Sequence, residues 1–303
     1  MIRYLERANI DVKKWDACVD TSVNGKVYAN AWYLDLVSPQ WSALVEGDYE
    51  AVFPLTSRKK YGIRYLYQPF FTQQLGLFAK ERTDDAVVEK FLSVVPGFFR
   101  FIEIQLNEAN RIRGNDFKIS ERLTHHLDLG RPYDNIRKNY SENLKRNLKR
   151  AAQHALVPKA DFGTRDLITL FRSNRGKEVQ ALAERDYDIL EKLIDEGSRR
   201  NLISKIGIKT ENNLEAGAVF IRSQHEFIFL FSATGEKAKE SGAMAFIIDH
   251  FIMTHAPAAM QLDFEGSMDP GLARFYKSFG SNEIVYLQIK KNNLPLPLRW
   301  LKH

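Results

Sequence analysis

A tyrosine and two carboxylates near the carboxyl-terminal end of the chain have side chains suited to proton transfer. Asp263 and Glu265 flank Phe264, so on a strand both carboxylates would point to the same face. One of them could take a proton from an attacking ammonium group. Tyr276 could supply one, because a phenol with a pKa of about 10 can protonate a departing thiolate whose pKa is about 8.5. The alternatives are a tyrosine packed on a sheet and a carboxylate pair that serves solubility.

A charged turn over residues 236–244 is a candidate anion site. It precedes an apolar helix, and free backbone N–H groups at a helix start hold a pyrophosphate with the help of the helix dipole. A β-run ends just before the turn, and N–H groups there could polarise a carbonyl. Two glutamates in the turn oppose an anion, so a capped, solvated turn is the alternative. The residues proposed to bind the carrier are Ser232, Ala233, Lys239, Gly242 and Ala243.

These residues belong to a stretch, 216–280, in which strand and helix patterns alternate. Two β-runs, 216–221 and 227–232, flank a short polar break, which predicts a hairpin. A short run at 260–264 and an amphipathic helix over 271–279 come later. This order can hold a phosphate-bearing acyl carrier with its thioester against a strand edge. Between hairpin and short run, a helix is predicted from an apolar stripe, formed by Met244, Ile247, Ile248, Phe251 and Ile252.

The same stretch resembles the carboxyl half of a GNAT-superfamily acyltransferase, and most of all the Fem-type branch, whose members carry two such domains. Gly271-Leu-Ala-Arg-Phe-Tyr-Lys-Ser-Phe-Gly280 is similar to the superfamily's closing helix, where a Tyr precedes a Phe-Gly pair. Asp263-Phe-Glu-Gly266 is similar to the Asp-Phe-x-Gly after the penultimate strand of Fem-like proteins. The resemblance implies an α/β fold with mixed sheets in two tandem GNAT-like domains. It also implies acyl transfer with Tyr276 as the acid, and a phosphate or carboxylate contact from Lys277.

The resemblance places a domain boundary near Gly130-Arg131-Pro132. Residues 133–303 would carry the acyl-donor site, and residues 1–132 would be a degenerate copy that supplies one wall of a substrate cleft. Within this first part, residues 63–77 are predicted to form a strand, a bend at Pro69 and a second strand. Their uncharged, hydrogen-bonding side chains could line an acceptor cleft, although core packing explains the aromatic ones equally well. The candidates for acceptor binding are Tyr67, Gln68, Gln73 and Gln74.

The most charged segment, residues 134–154, is predicted to form a single helix. Fem-type proteins begin their second domain with a basic segment of this kind. Its basic face could contact a tRNA backbone, bind an anionic substrate or carrier, or simply be solvated. The candidate contacts are Lys145, Arg146, Lys149 and Arg150. The predicted buried stripe of the helix repeats at every fourth residue and consists of Ile136, Tyr140, Leu144, Leu148 and Ala152.

Length, composition and charge limit the classes of protein to which the chain can belong. The chain has 303 residues, of which 44% are hydrophobic, enough for two domains with real cores. The formal net charge of +6 favours phosphate-rich ligands but does not establish nucleic acid. The single cysteine, Cys18, excludes an internal disulfide, and the charged first residues lack an apolar core, so we expect a cytoplasmic protein without a signal peptide. His125 and His126 lack metal-ligand spacing and no H-E-x-x-H is present, so we expect no metal.

Three functions are compatible with these patterns. The first is transfer of an acyl group from acyl-CoA or a similar thioester to a small-molecule or peptide amine. The second keeps the fold but uses an aminoacyl-tRNA as donor, as the Fem resemblance implies, to extend a cell-wall precursor peptide. The third is a binding module without catalysis, which would use the cleft between the domains for a peptide or a nucleotide-sugar.

Overall fold

The computed structural model describes residues 1–81, 84–114, 116–177, 182–210, 213–266, 268–296 and 298–301. The chain divides into two compact units. The first comprises Met1–Leu123 with Val285–His303, and the second is Thr124–Ile284. The predicted boundary between residues 132 and 133 therefore differs from the observed division, and the carboxyl-terminal segment belongs to the first unit.

Strand pairing explains why the end of the chain joins the first unit. The last strand, β13, pairs in antiparallel fashion with β7, with Gln288 opposite Gln105 and Asn292 opposite Phe101. A periodic pattern predicts a strand but does not reveal its partner. The elements of the first unit are β1 (Ile2–Glu6), α1 (Val12–Thr21), α2 (Ala31–Val37), β2 (Ser42–Glu46), β3 (Ala51–Leu55), β4 (Ser57–Lys60), β5 (Ile63–Tyr67), β6 (Phe78–Ala79), α3 (Asp85–Ser93), β7 (Phe99–Gln105) and most of β13 (Asn282–Asn292).

Two sheets build the first unit. One has the order β1-β2-β3-β6, and the other runs β4-β5-β7-β13, with β5 and β7 parallel. Their core includes Phe53, Leu66, Phe91 and Ile104. The strand predicted before the bend at Pro69 is confirmed as β5. The strand predicted after it is wrong, because Leu75 forms only an isolated bridge and the next strand is the two-residue β6.

The second unit contains one mixed sheet, with the order β8-β12-β11-β10-β9. The predicted hairpin is confirmed, since β10 and β11 pair in antiparallel fashion. Phe251 of α9 stacks on Phe220 of β10, with ring centroids 3.8 Å apart, inside the core. The elements are the end of β8 (Lys118–Asp128), α4 (Tyr133–Lys138), α5 (Glu142–Gln153), α6 (Thr164–Ser173), α7 (Glu184–Arg199), β9 (Ile203–Lys209), β10 (Leu214–Arg222), β11 (Glu226–Thr234), α8 (Glu236–Glu240), α9 (Ala243–His255), β12 (Gln261–Asp263) and α10 (Pro270–Lys277).

The single basic helix predicted over residues 134–154 is wrong. The chain forms α4 and α5, and Ser141 between them accepts a hydrogen bond from the Leu144 N–H at 3.2 Å, as an N-cap does. The break shifts the helical phase at the end of the segment, so Ala151 is buried and Ala152 is exposed. The first four members of the predicted stripe are buried.

Among the helices of the described ranges, none has the length and apolar content that a bilayer crossing requires.

Replacing Phe251 by Ala is expected to lower the free energy of unfolding by about 3 to 5 kcal/mol, because it removes a buried ring and leaves a cavity. Met253 lies on the same helix and is 46% exposed, so Met253→Ala is the matched control, with an expected change within about 0.5 kcal/mol. Urea unfolding followed by circular dichroism measures both. Equal midpoints for the two variants would contradict the assigned core.

Candidate active site

The sheet of the second unit opens along one edge of β11. β11 pairs with β12 in parallel only as far as Ile228 opposite Asp263, whereas its pairing with β10 continues to Thr234. A register shift accompanies the opening, since Val219 faces Phe231 while Phe220 faces Phe229. Within the described residues, the carboxyl half of β11 therefore has no strand neighbour on its β12 side.

Hydrogen-bond alternation identifies which backbone groups face the opening. The Gly235 N–H donates to the Glu215 carbonyl at 2.8 Å, so these two residues form a hydrogen-bonded pair. Antiparallel pairs alternate between bonded and non-bonded positions. The N–H and C=O groups of Ser232 and Thr234 consequently point away from β10 and towards the open side. Those of Ala233 point towards β10.

A cavity of about 290 Å³ lies against this half of β11. The strand contributes Phe229, Ser232, Ala233 and Thr234 to its wall. Of the residues that the sequence singled out, the cavity brings together Ser232, Ala233, Lys239, Gly242 and Tyr276. An open strand edge, a helix start and a phenol thus meet in one space.

The start of α9 forms another part of the cavity wall. Gly242 has φ of +76°, and a Cβ at this position would lie 2.6 Å from the Asn147 carbonyl oxygen of α5. Only glycine allows both this backbone conformation and this close approach. No side chain caps the start of α9 among the residues that the structure describes. The predicted site residue Ala243 is fully buried, and its neighbours Met244 and Ala245 line the cavity in its place.

The segment predicted as a turn over residues 236–244 contains a short helix, α8. Lys239 on this helix lines the cavity and forms an ion pair with Glu236, with 2.6 Å between Nζ and Oε1. Both side chains are exposed. Arg150 of α5 donates to the Glu240 carbonyl at 3.1 Å and so satisfies one of the last carbonyls of α8. These contacts connect the basic helix to the segment beside the cavity.

Tyr276 is placed by α10 against the aromatic core. Its ring stacks on that of Phe264, with centroids 4.9 Å apart, and the residue is 7% exposed. Burial raises the pKa of the Tyr276 phenol, the negative charge of Glu265 raises that pKa further, and Arg175 opposes both effects. The phenol therefore remains protonated at neutral pH and lines the cavity as a potential proton donor.

The two carboxylates are arranged differently from the sequence prediction. Asp263 is fully buried; its Oδ1 accepts hydrogen bonds from the Thr124 hydroxyl and, at 2.8 Å, from the Glu265 N–H. The His126 Nε2 lies 3.3 Å from the other carboxylate oxygen. The expectation that both carboxylates share a strand face is wrong, because β12 ends at Asp263 and Glu265 adopts a positive φ of 55°. Neither residue lines the cavity.

Lys277 and the uncharged residues of the first unit are occupied by contacts within their own units. Lys277 pairs with Glu283, with 2.9 Å between Nζ and Oε1. The Gln68 carboxamide binds the backbone of Thr72 and Gln105. The remaining predicted residues of this group make three hydrogen bonds: the Tyr67 hydroxyl donates to the Val37 carbonyl, the Glu108 N–H donates to Gln74, and the Gln74 side chain donates to that of Gln73. These side chains hold together the segment that follows β5.

Arg175 is the most informative residue that the sequence prediction missed. It follows α6, lines the cavity, and donates to the Asp269 carboxylate at 3.0 Å. Asp269 is the N-cap of α10, so this contact connects the cavity wall to the helix that carries Tyr276. The basic, glycine-containing run at residues 174–177 could have suggested an anion-binding segment. The neighbouring sequence, however, does not indicate that this run approaches α10. Other lining residues that the prediction missed include Asn147, Phe171, Asn174, Leu272 and Phe275.

The four basic candidates on α5 are exposed, and the helix also carries Asn147 into the cavity wall. Lys145 pairs with Glu142 of the same helix, with 2.8 Å between Nζ and Oε1. The basic surface of α5, defined by Lys145, Arg146, Lys149 and Arg150, thus adjoins the cavity.

Comparison with solved structures identifies the fold. The structure of FemX is similar along 99% of this chain and 99% of its own, with a TM-score of 0.65 and 12% sequence identity. A tandem GNAT protein from the clavulanic acid biosynthesis pathway matches over 97% of this chain and 99% of its own, with a TM-score of 0.53 and 10% identity. The structure of L-PGS from Bacillus licheniformis matches over 96% and 95%, with a TM-score of 0.55 and 11% identity.

The chain has a Fem-type, tandem GNAT-like fold. The expected α/β class with mixed sheets and tandem GNAT-like architecture is confirmed. No family model and no curated protein matches the sequence. At 10 to 12% identity the similarity to these solved structures concerns the fold alone, because one fold can host many different activities.

Gly242→Ala tests whether close packing on α5 sets the start of α9. The added methyl group meets both an unfavourable φ and the Asn147 carbonyl, whereas Gly62→Ala, with φ of +79° and open space, meets only the first. We expect Gly62→Ala to cost about 1 kcal/mol of stability and Gly242→Ala at least about 1 kcal/mol more. Chemical denaturation measures the difference. Equal losses would show that the contact with α5 contributes nothing.

Proposed function

We propose that the second unit transfers an acyl group from a CoA-type thioester to an amine. One observation carries the proposal: the open edge of β11, the uncapped start of α9 and the Tyr276 phenol share a single cavity. An acyl carrier presents an extended amide-containing arm and a pyrophosphate. An open strand edge and a helix start are the backbone groups that complement these two parts.

In this proposal the pyrophosphate binds at the start of α9. Met244 and Ala245 provide N–H groups in its first turn, and the helix dipole favours the negative charge there. Lys239 and Arg175 add positive charge at the cavity wall. The arm of the carrier lies along β11, where the N–H and C=O groups of Ser232 and Thr234 are directed to the open side.

The chemical step is amine attack on the thioester carbonyl. The new C–N bond forms, the C–S bond breaks, and the Tyr276 hydroxyl gives its proton to the departing sulfur. The amine loses a proton to a carboxylate or to water. Of the two predicted carboxylates, Glu265 is the half-buried one and its charge acts on the Tyr276 phenol; because it does not line the cavity, a water molecule would have to carry the proton to it. Asp263, buried among its hydrogen bonds, holds the turn after β12.

Tyr276→Phe tests the proton donor. We expect kcat to fall by about 100-fold or more, because the leaving thiolate loses its acid, while the affinity for acetyl-CoA remains unchanged. Tyr133→Phe removes a hydroxyl that donates to Asp249 elsewhere in the same unit, so it serves as the control and retains its kcat. Steady-state turnover with an amine acceptor and calorimetric binding of acetyl-CoA are the measurements.

The pH dependence of kcat in the wild type gives a second test of the proton donor. The raised pKa of Tyr276 keeps the acid protonated beyond the usual phenol value of about 10. The wild-type kcat should therefore show no loss of an essential acid between about pH 8 and about pH 10. An alkaline decline inside that window, or unchanged turnover in Tyr276→Phe, would remove Tyr276 from the mechanism.

A second candidate donor is an aminoacyl-tRNA, and the basic surface of α5 is the observation that favours it. Its four cations are exposed and adjoin the cavity through Asn147 and the contact of Arg150 with α8. A phosphate backbone laid along α5 would bring its 3′ end towards the same cavity. The acyl-transfer step would be unchanged, with an ester oxygen in place of the sulfur.

The double variant Lys145→Gln, Lys149→Gln separates the two donors. If the donor is tRNA, the variant should bind tRNA more weakly, while its binding of CoA is unaffected. The slope of log K against the logarithm of the salt concentration should become shallower by about 1 for each phosphate contact that is lost. The matched control replaces two exposed cations of α7, Arg185 and Lys192, by Gln. Thermal shifts and filter binding over a salt series give the result. Stabilisation by CoA and none by tRNA would exclude the second donor.

A further inference from the structure

The first unit contains its own cavity, unrelated to the acyl-donor site described above. It has a volume of about 480 Å³ and lies between the end of β1, the start of β2 and the β4–β5 hairpin. Four cationic side chains line it: Arg7, Arg58, Lys59 and Arg64. Clustered Arg and Lys side chains around a concave surface are the usual signature of an anion site.

The charges in this cavity do not cancel. Asp35 holds Arg7 through two hydrogen bonds of 2.6 and 2.7 Å, and Glu6 lies 4.0 Å from Arg64. Arg58 instead lies over the Tyr67 ring, 4.1 Å from its centroid. Within the described part of the chain, neither Arg58 nor Lys59 has a carboxylate partner. The four cations are thus opposed by two carboxylates, which leaves two positive charges without a partner. This excess positive charge matches the negative charge of a phosphate monoester, about −1.5 to −2 at neutral pH.

A buried hydroxyl gives a second and independent indication. Ser42 at the start of β2 lines the cavity and is only 3% exposed. Its Oγ has no hydrogen-bond partner among the residues described. Buried hydroxyl groups nearly always have a partner, and leaving one without costs about 1 to 3 kcal/mol. A ligand oxygen would provide that partner.

The neighbouring aromatic and ionic contacts fix the geometry of the cluster. The Trp41 Nε1 donates to Asp35 at 2.8 Å, so the same carboxylate orients Trp41 and Arg7. Arg7 lies over the Trp41 ring, 5.6 Å from its centroid. A guanidinium held in this way presents its remaining N–H groups without further loss of side-chain freedom.

We propose that this cavity of the first unit binds the phosphate group of a small molecule. Arg58 and Lys59 supply the uncompensated charge, Arg7 supplies an oriented guanidinium, and the Ser42 hydroxyl donates to a phosphate oxygen. The site is independent of the acyl-donor cavity, so either can exist without the other.

The experiment is calorimetric titration of the full chain with glycerol 3-phosphate, inorganic phosphate and succinate. The first two share the phosphate chemistry, and succinate is a dianion without it. We expect both phosphates to bind and succinate to bind at least about 10-fold more weakly. In the double variant Arg58→Gln, Lys59→Gln the affinity for phosphate should fall by about 10-fold or more, because charge-assisted hydrogen bonds are lost.

Three further variants locate the site. Lys60 follows on the same strand without lining the cavity, so Lys60→Gln should bind phosphate like the wild type. Lys192→Gln removes an exposed cation of α7 that lines neither cavity and should also bind phosphate normally. Ser42→Ala should weaken binding without loss of stability, because the hydroxyl has no protein partner to lose. Absence of phosphate binding, equal binding of succinate, or wild-type affinity in either the double variant or Ser42→Ala would overturn the proposal.

Discussion

The candidate active site depends on a backbone constraint in β11. A strand that keeps its neighbour on one side and loses it on the other leaves N–H and C=O groups that must find partners in water or in a ligand. β12 ends at Asp263, and the register shift near Phe229 redirects β11 just beyond that point. The open edge is therefore a consequence of where one short strand stops, and the Asp263 hydrogen bonds to Thr124 and Glu265 fix that stop.

The other parts of the site are held at this edge by packing. The apolar residues of α9 are buried in the core of the unit, so the helix start cannot move independently of the sheet. Close approach of Gly242 to Asn147 joins that start to α5. The Arg175–Asp269 pair joins the segment after α6 to the helix that carries Tyr276. The cavity is consequently lined by segments that are distant in sequence and that these contacts join to one another.

Local patterns in the sequence predicted the elements well and their partners poorly. The hairpin, α9 and α10 follow from periodicities of two and 3.6 residues, which need no knowledge of the rest of the chain. The same periodicity wrongly predicted that Glu265 lies on a strand. A periodic pattern does not show that β12 ends before Glu265, which has a positive φ. Arg175 and the pairing of β13 with β7 escaped prediction since both depend on contacts between residues far apart in sequence. The break before Ser141 was missed because an apolar stripe continued through it.

Amide hydrogen exchange at Ser232 and Thr234, measured with and without CoA, tests the central claim most directly. The open strand edge leaves these two N–H groups without a strand partner, so we predict rapid exchange in the free protein and strong protection once CoA binds, together with slower exchange at the start of α9. The Ala233 amide, directed towards β10, should be protected in both states. Binding of CoA without any change at Ser232 and Thr234 would contradict the account.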